Sequence, residues 1–101
     1  MKQPEDCSDL LDVREAIDQI DHSIVEGLAL RMKYVHAASR FKPDLASIPA
    51  PERVSTMLVK RGEWAAERQL EPAFIKGLFS SIIHWYIAQQ IQYRVRQEAR
   101  S

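Results

Sequence analysis

The sequence contains little of what several common protein classes require. Cys7 is its only cysteine, which excludes an internal disulfide or a cysteine-rich metal site and fits a reducing compartment. Its 14 basic and 14 acidic residues cancel, whereas a protein that binds nucleic acid through the phosphates needs a basic surplus. No apolar run approaches the ~20 residues that cross a bilayer, and the acidic start MKQPEDCSD lacks the apolar core of a secretory signal. We therefore expect a cytoplasmic protein that binds neither nucleic acid nor a membrane.

What the sequence does contain is helical periodicity, and no segment shows the alternation of a strand. The predicted helices cover about residues 9–41, 51–68 and 72–97. Ser8 or Asp9 can cap the first helix after a frayed lead-in. Pro43 ends that helix, because proline disfavours helical dihedral angles in the residue before it. Pro51 and Pro72 suit the first turns of the other two helices, so the predicted fold class is all-α with three helices.

The first helix carries cations on its apolar side. At about 100° per residue, its apolar residues form one stripe, namely Val13, Ile17, Ile20, Ile24, Leu28, Val35 and Ala38. Arg31 and Lys42 project within roughly 20° of the centre of this stripe, and Arg14 lies on its flank. An unpaired charge on a desolvated surface costs several kcal/mol, so the pattern predicts that these cations bind an anion.

The length of the first helix predicts a homodimer. A helix of some 30 residues is about 45 Å long, whereas a compact single domain covering residues 1–101 has a diameter of roughly 33 Å. An amphipathic helix that overhangs its own subunit needs a partner, and a symmetric homodimer is the commonest solution. Gly27, inside this helix, indicates close helix packing rather than a kink. Because Arg14 and Arg31 are about 25 Å apart, an antiparallel dimer would bring Arg14 of one protomer to the Arg31 site of the other.

Polar residues of the other helices complete the predicted site. Gln90 lies near the centre of the apolar band of the third helix, where a buried amide needs hydrogen-bond partners. Arg53, in the first turn of the second helix, can close the site beside the polar connection formed by residues 43–49. We expect this connection to act as a lid that orders over a ligand and excludes water. The charged tail after Tyr93 is expected to be solvated.

Each of these residues also has a simpler structural explanation. Arg14 can pair with Asp18 or Asp21 on its own helix, and Arg31 can extend along an apolar groove to water. Lys42 can merely complement the dipole at a helix end, and the glutamine of the third helix can be a core amide. Their joint occurrence on apolar faces favours a binding site. The histidines lack metal-ligand spacing, so we expect no metal.

The order of these residues resembles that of the all-helical chorismate mutases, and within them the isochorismate–pyruvate lyase branch that makes salicylate for siderophores. The resemblance covers essentially the whole chain and is carried by the segments VREAIDQIDHSIVEGLALRMKYVHAASRFK, IPAPERV and GLFSSIIHWYIAQQIQY. The polar site residues of the family correspond to Arg14, Arg31, Lys42, Arg53 and Gln90. The resemblance implies an intertwined homodimer of three-helix protomers.

Two positions depart from the mutase pattern. The mutases usually carry a carboxylate directly after the arginine of the second helix, where it holds the ring hydroxyl of chorismate. Val54 occupies that position here, and Ala50 stands where an acidic residue is frequent. Loss of a hydroxyl partner weakens chorismate binding and leaves room for isochorismate, whose hydroxyl is elsewhere on the ring. The departures therefore favour the lyase.

The resemblance implies a pericyclic reaction without a cofactor, in which isochorismate gives salicylate and pyruvate. Arg31 and the partner subunit's Arg14 would hold the two carboxylates, and Arg53 would also bind the substrate. Lys42 and Gln90 would donate to the ether oxygen as it becomes negative. The expected pocket lining is Val35, Ala38, Ala50, Val54, Met57, Ile83, Tyr86 and Ile87. Weak chorismate mutase activity would accompany the lyase, since both reactions need a clamped diaxial substrate.

Two alternatives to the lyase remain open from the sequence. One is a chorismate mutase with an altered pocket, which would convert chorismate to prephenate with the same charged residues. The other is a non-catalytic helical module for dimerisation or anion binding.

Overall fold

The computed structural model describes residues 1–100, and every regular element within that range is helical. The α-helices are α1 (Leu10–Ser39), α2 (Pro51–Glu67) and α3 (Pro72–Arg100). Short 3₁₀ turns at Pro4–Asp6 and Leu45–Ser47 precede α1 and α2. Within the described range, no helix combines the length and the apolar character that crossing a membrane requires. The predicted all-α fold is confirmed for these residues.

The third helix continues past its predicted end at about Gln97 and reaches Arg100. The tail contains neither glycine nor proline, so no residue in it interrupts the helix. The guanidinium of Arg94 also forms an ion pair with the carboxylate of Glu98 at 3.0 Å, one turn further on. Pairs at this spacing stabilise a helix by about 0.2–0.5 kcal/mol, which helps to extend regular structure into the charged tail.

The chain forms two compact units, and the first comprises residues 1–34. Asp12 stabilises the N-terminal end of this unit through hydrogen bonds. The side chain of Asp9 accepts a hydrogen bond from the Asp12 backbone N–H at 2.9 Å, so Asp9 is the N-cap of α1. In return, the Asp12 carboxylate accepts from the Ser8 N–H at 3.0 Å, the Ser8 hydroxyl at 2.9 Å and the Lys2 ammonium at 2.9 Å. The expectation of a frayed lead-in was wrong, because these contacts hold the lead-in against the first turn.

The apolar stripe of α1 is exposed within this unit. Val13, Ile17, Ile20 and Ile24 retain between 39% and 55% of their accessible surface. A Cβ placed on Gly27, beside the stripe, would meet no atom beyond its own helix within 4 Å. The close packing expected at Gly27 is therefore not provided by the described residues of this chain. A contiguous apolar face of this kind is typical of an interaction surface.

In the second unit, which is the remainder of the described chain, α2 and α3 form a helical hairpin. Gly62 is buried where the hydrocarbon chain of Lys76 passes α2, so this glycine allows a close approach and does not interrupt the helix. The Arg61 guanidinium lies 4.8 Å from the ring centroid of Trp64 and 5.3 Å from that of Phe79. Such cation–π contacts contribute about 0.5–1 kcal/mol at exposed sites. The buried apolar core of this unit consists of Ile48, Ala65, Ile83 and Tyr86.

The turn between α2 and α3 places one residue in the left-handed region. Gln69 has a φ of 57°. The N–H groups of Gln69 and Leu70 donate to the carbonyls of Ala66 and Ala65 at 3.3 and 2.9 Å. This is a Schellman arrangement, which usually carries glycine at the position of Gln69. Pro72 follows as the first residue of α3, a position that suits a residue without an N–H.

Candidate active site

Lys42 lies just beyond α1, where the end of the helix is tightened. The N–H groups of Arg40, Phe41 and Lys42 each donate to the carbonyl three residues earlier, over 3.0–3.3 Å. The Lys42 side chain turns over the following connection and donates to the Ser47 carbonyl oxygen at 3.3 Å. An ammonium has three N–H donors, so this half-buried lysine keeps donors for a further acceptor.

Residues 43–49, which follow Lys42, have a defined structure. The Asp44 carboxylate caps the 3₁₀ turn by accepting from the Ser47 N–H at 2.9 Å, and the Ser47 hydroxyl donates to the Asp44 carbonyl at 2.8 Å. Ile48 is 3% exposed. The connection therefore combines a capped polar turn with an apolar anchor at Ile48.

A backbone hydrogen bond connects Ala50 and Val54 at the start of α2. The Val54 N–H donates to the Ala50 carbonyl at 3.1 Å, and Ala50 has a left-handed backbone with a φ of 41°. Such a conformation costs a residue other than glycine about 1–2 kcal/mol, and Pro51 fixes the next φ for helix entry. Ala50 and Val54 are half-buried, whereas Arg53 is exposed.

Gln90 is buried on α3 and is 6% exposed. Its amide nitrogen Nε2 is enclosed and finds no acceptor among the described residues. Leaving a buried donor unpaired costs about 1–3 kcal/mol. The arrangement therefore favours a ligand atom that accepts a hydrogen bond at this position.

The remaining residues expected to line the pocket differ in their burial. Ile83 and Tyr86 are buried, Val35, Met57 and Ile87 are half-buried, and Ala38 is exposed. Apolar atoms of the half-buried members are thus accessible, whereas Ile83 and Tyr86 support the helix that carries Gln90.

Two of the predicted cations belong to the first unit. Arg31 is half-buried and its Nη1 nitrogen is enclosed, which disfavours an arginine that merely extends to solvent. Arg14 is exposed. Over residues 1–100, no ion pair joins it to Asp18 or Asp21, so the simpler explanation for Arg14 is not realised there.

Arg94 was missed by the sequence reasoning. Its Nη1 nitrogen donates to the carbonyl oxygens of Ser39 and Lys42 at 2.9 and 2.8 Å, and its side chain is 20% exposed. The tail after Tyr93 was expected to be solvated, and for Arg94 that expectation was wrong. The signal in the sequence was the spacing of four residues from Gln90, which puts both side chains on one face of a helix.

Comparison with known proteins identifies the family of the chain. Residues 13–91 match the family described as chorismate mutase type II. An isochorismate pyruvate lyase of Pseudomonas aeruginosa is 61% identical over 93 residues, which cover 92% of this chain and 92% of that protein. The matched family range includes Arg14, Arg31, Lys42, Arg53 and Gln90. The chain therefore belongs to the chorismate mutase type II family.

Proposed function

We propose that this chain is an isochorismate pyruvate lyase, which converts isochorismate to salicylate and pyruvate for the synthesis of salicylate-derived siderophores. The main support is the buried amide of Gln90, whose Nε2 finds no acceptor among the described residues. A neutral N–H donor suits an ether oxygen that gains negative charge without being protonated. The relative named isochorismate pyruvate lyase, at 61% identity, supports the choice of substrate.

The reaction needs neither a nucleophile nor a general base. As the ether C–O bond of isochorismate breaks, a hydrogen moves from the ring carbon that bears the hydroxyl to the methylene carbon of the enolpyruvyl group. Pyruvate leaves with that hydrogen in its methyl group, and the ring becomes aromatic as salicylate. The protein therefore has two tasks, to hold the compact conformer and to stabilise charge on the ether oxygen.

Lys42 and Gln90 stabilise the developing charge. Both belong to the second unit, where Lys42 follows α1 and Gln90 is on α3. The Lys42 ammonium contacts the Ser47 carbonyl at 3.3 Å and would exchange this contact for the ether oxygen when substrate binds. A cationic donor and a neutral donor together stabilise the oxygen without transferring a proton to it.

Three arginines bind the substrate. Arg31 and the partner subunit's Arg14 hold the two carboxylates, because a guanidinium grips a carboxylate through two parallel hydrogen bonds. The enclosed Nη1 nitrogen of Arg31 supports this role, since charges interact more strongly away from bulk water. Arg53 closes the site beside residues 43–49, which act as a lid.

The shared site requires a homodimer, which the exposed face of α1 supports. α1 contains 30 residues, which corresponds to about 45 Å. Val13, Ile17, Ile20 and Ile24 are exposed along it. A second copy of α1, packed antiparallel on this face, would bury the stripe and use the space beside Gly27.

Val54 favours isochorismate as the substrate. A valine side chain cannot hydrogen-bond a ring hydroxyl, and Val54 is half-buried in the first turn of α2. A chorismate mutase is the second candidate, because the family match over residues 13–91 carries that description and the same cations suit both substrates. We expect a weak mutase activity beside the lyase for this reason.

Parallel assays with purified isochorismate and chorismate test this function. Salicylate is detected by its fluorescence and prephenate by conversion to phenylpyruvate. We expect kcat/KM for isochorismate to exceed that for chorismate by more than about tenfold, the effect of one hydrogen bond to a charged group. The reverse order would make the chain a chorismate mutase. Saturable binding of both compounds without turnover would indicate a non-catalytic anion-binding module.

A further inference from the structure

We propose that Arg94 is a positioning residue that holds the backbone of Lys42 in register with Gln90. This role rests on the proposed function of Lys42 and Gln90 as donors to the ether oxygen. Arg94 lies beyond residues 13–91, the range matched by the family.

The contacts of Arg94 are those of a helix cap supplied by a distant residue. Its Nη1 nitrogen donates to the carbonyls of Ser39 and Lys42 at 2.9 and 2.8 Å. The Ser39 carbonyl at the end of α1 also accepts from the Lys42 N–H at 3.3 Å, so Arg94 supplies a second donor there, and a cation near the end of a helix is favoured by the helix dipole. Since the Arg94 side chain is 20% exposed, water competes weakly for these carbonyls.

A second contact beside Arg94 joins the same two segments. The ring of Tyr93, the preceding residue on α3, stacks on the ring of His36 in the last turns of α1, with centroids 4.1 Å apart and an interplanar angle of 8°. The Arg94 Nε nitrogen is in turn held by the Glu98 carboxylate at 3.0 Å. Two adjacent residues of α3, Tyr93 and Arg94, thus contact the end of α1. The ion pair with Glu98 fixes the orientation of the Arg94 guanidinium.

The spacing on α3 links this attachment to the proposed chemistry. Gln90 and Arg94 are one turn apart on one helical face. The same turn of α3 therefore carries the buried amide of Gln90 and, through the Arg94 guanidinium, donates a hydrogen bond to the backbone carbonyl of Lys42. The Lys42 ammonium remains able to move between Ser47 and a ligand, because Arg94 holds only the backbone. Removing Arg94 should make the backbone of Lys42 more mobile. It should leave the arginines that are proposed to bind the substrate carboxylates unchanged.

Kinetics of Arg94→Gln, with Arg94→Lys as the conservative variant, test this role. For Arg94→Gln we expect kcat to fall by about 10- to 100-fold, as for a misplaced catalytic group, with KM changed by less than about threefold. Arg94→Lys keeps the charge and N–H donors, so it should recover part of kcat. Arg96→Gln removes an exposed arginine on the same helix and should behave like the wild type.

Hydrogen exchange separates positioning from a general loss of structure. In Arg94→Gln, we expect faster exchange at the Lys42 and Ser47 amides and unchanged exchange in the middle of α2. Wild-type kcat in Arg94→Gln, or a rise in KM without a fall in kcat, would overturn the positioning role. If Arg94→Gln does not fold, the same criteria apply to Arg94→Lys, with an intermediate kcat expected.

The outcome for Arg94 can be distinguished from the outcome for the function itself. If the wild-type chain forms no salicylate but converts chorismate, the lyase assignment fails, and the same comparison of kcat and KM is made with chorismate. If neither substrate is converted, the reaction and the positioning role both fail. If the wild type forms salicylate and Arg94→Gln does so at the same rate, only the role of Arg94 fails.

Discussion

The ammonium of Lys42 lies 3.3 Å from the carbonyl oxygen of Ser47, so the proposed catalytic cation is bound to the segment expected to cover the substrate. The Ser47 N–H and hydroxyl are both bonded to Asp44, which fixes the direction of the Ser47 carbonyl. Release of this carbonyl frees the ammonium for another acceptor. Substrate binding and movement of residues 43–49 are therefore expected to be coupled.

Replacement of Lys42 by alanine should reduce kcat about 10²-fold, corresponding to about 3 kcal/mol for the loss of one donor to a developing oxyanion. The thermal midpoint should change little, because Lys42 is half-buried and its backbone contact to Arg94 remains. Salicylate fluorescence gives the rate. Lys33→Ala, at an exposed lysine of α1, is the control. A Lys42→Ala variant with wild-type turnover would remove Lys42 from the mechanism.

Residues 43–49 should become more protected when products are bound. Leu45 is exposed in the 3₁₀ turn, whereas Ile48 is buried and anchors the segment. A protease that cleaves after leucine should cut at Leu45 several-fold more slowly with salicylate and pyruvate, because a closed lid excludes the protease. Leu70, exposed in the turn between α2 and α3, is the internal control. Equal rates at Leu45 with and without products would argue against a lid.

Local chemistry explains why the helices were predictable. The first turns of α2 and α3 begin at Pro51 and Pro72, and Asp9 caps α1 through its own side chain. Each of these signals acts over a few residues, so it is visible in the sequence. The burial of Gln90 follows equally directly from its place in the apolar band of α3.

The contacts of Arg94 could not be predicted in the same way. Its partners Ser39 and Lys42 are 55 and 52 residues away in the chain. A charged residue in a charged tail is usually solvated, and only the packing of α3 beside the end of α1 reverses that preference. The lead-in was misjudged for a related reason, since the contact from Lys2 to Asp12 spans ten residues without any periodic pattern.

Glutamate at position 54 should shift the chain towards chorismate. A carboxylate there could accept a hydrogen bond from the ring hydroxyl, and a hydrogen bond to a charged group contributes about 1.5–3 kcal/mol. The ratio of kcat/KM values, isochorismate over chorismate, should fall about 10- to 100-fold in Val54→Glu. An acidic residue in the first turn of α2 also suits the helix dipole, so the fold should tolerate it.

The matched control for this substitution is Val59→Glu, which adds the same charge at an exposed position of α2. It should leave the ratio unchanged. Val54→Ala tests volume alone and should lower both specificity constants without favouring chorismate. An unchanged ratio in Val54→Glu would show that Val54 does not decide between the substrates.

The Asp12 carboxylate should make the N-terminal end of α1 sensitive to acid. The Ser8 N–H, then the Lys2 ammonium and the Ser8 hydroxyl, lower the pKa of Asp12 to about 2, against about 3.9 in an unfolded chain. Because the folded pKa is the lower one, the stabilisation is complete above about pH 4 and disappears as the pH falls through about 2. Asp12→Asn lacks this charge at every pH.

Thermal midpoints of the wild type and Asp12→Asn, compared between pH 2 and pH 6, measure this effect. The wild type should be the more stable at pH 6, and most of the difference should be lost by pH 2, where the Asp12 carboxylate of the folded chain is half protonated. Asp18→Asn removes a charge from an exposed position of α1 and is the control. A difference at pH 2 as large as that at pH 6 would mean that packing rather than charge distinguishes the two side chains.

Mixed dimers should reveal whether Arg14 and Arg31 act in one site across two subunits. Arg14→Ala and Arg31→Ala homodimers should each be inactive, because both sites of each dimer lack one carboxylate-binding residue. When the two variants are unfolded together and refolded, half of the dimers are mixed. One site of every mixed dimer then has both arginines. Salicylate formation should return to about a quarter of the wild-type rate, as symmetry requires.

Arg31→Ala mixed with Lys42→Ala is the decisive control for a shared site. Arg31 and Lys42 are expected to serve the same site from the same chain, so no mixed dimer of these two variants contains a complete site. Recovery in the first mixture and none in the second would establish that Arg14 alone crosses to the partner. Recovery in neither mixture, with dimers present by sedimentation, would mean that Arg14 and Arg31 serve one site from the same chain, whereas an active Arg14→Ala homodimer would place Arg14 outside the site. Recovery in both would mean that Lys42 comes from the same chain as Arg14, opposite Arg31 of the other chain.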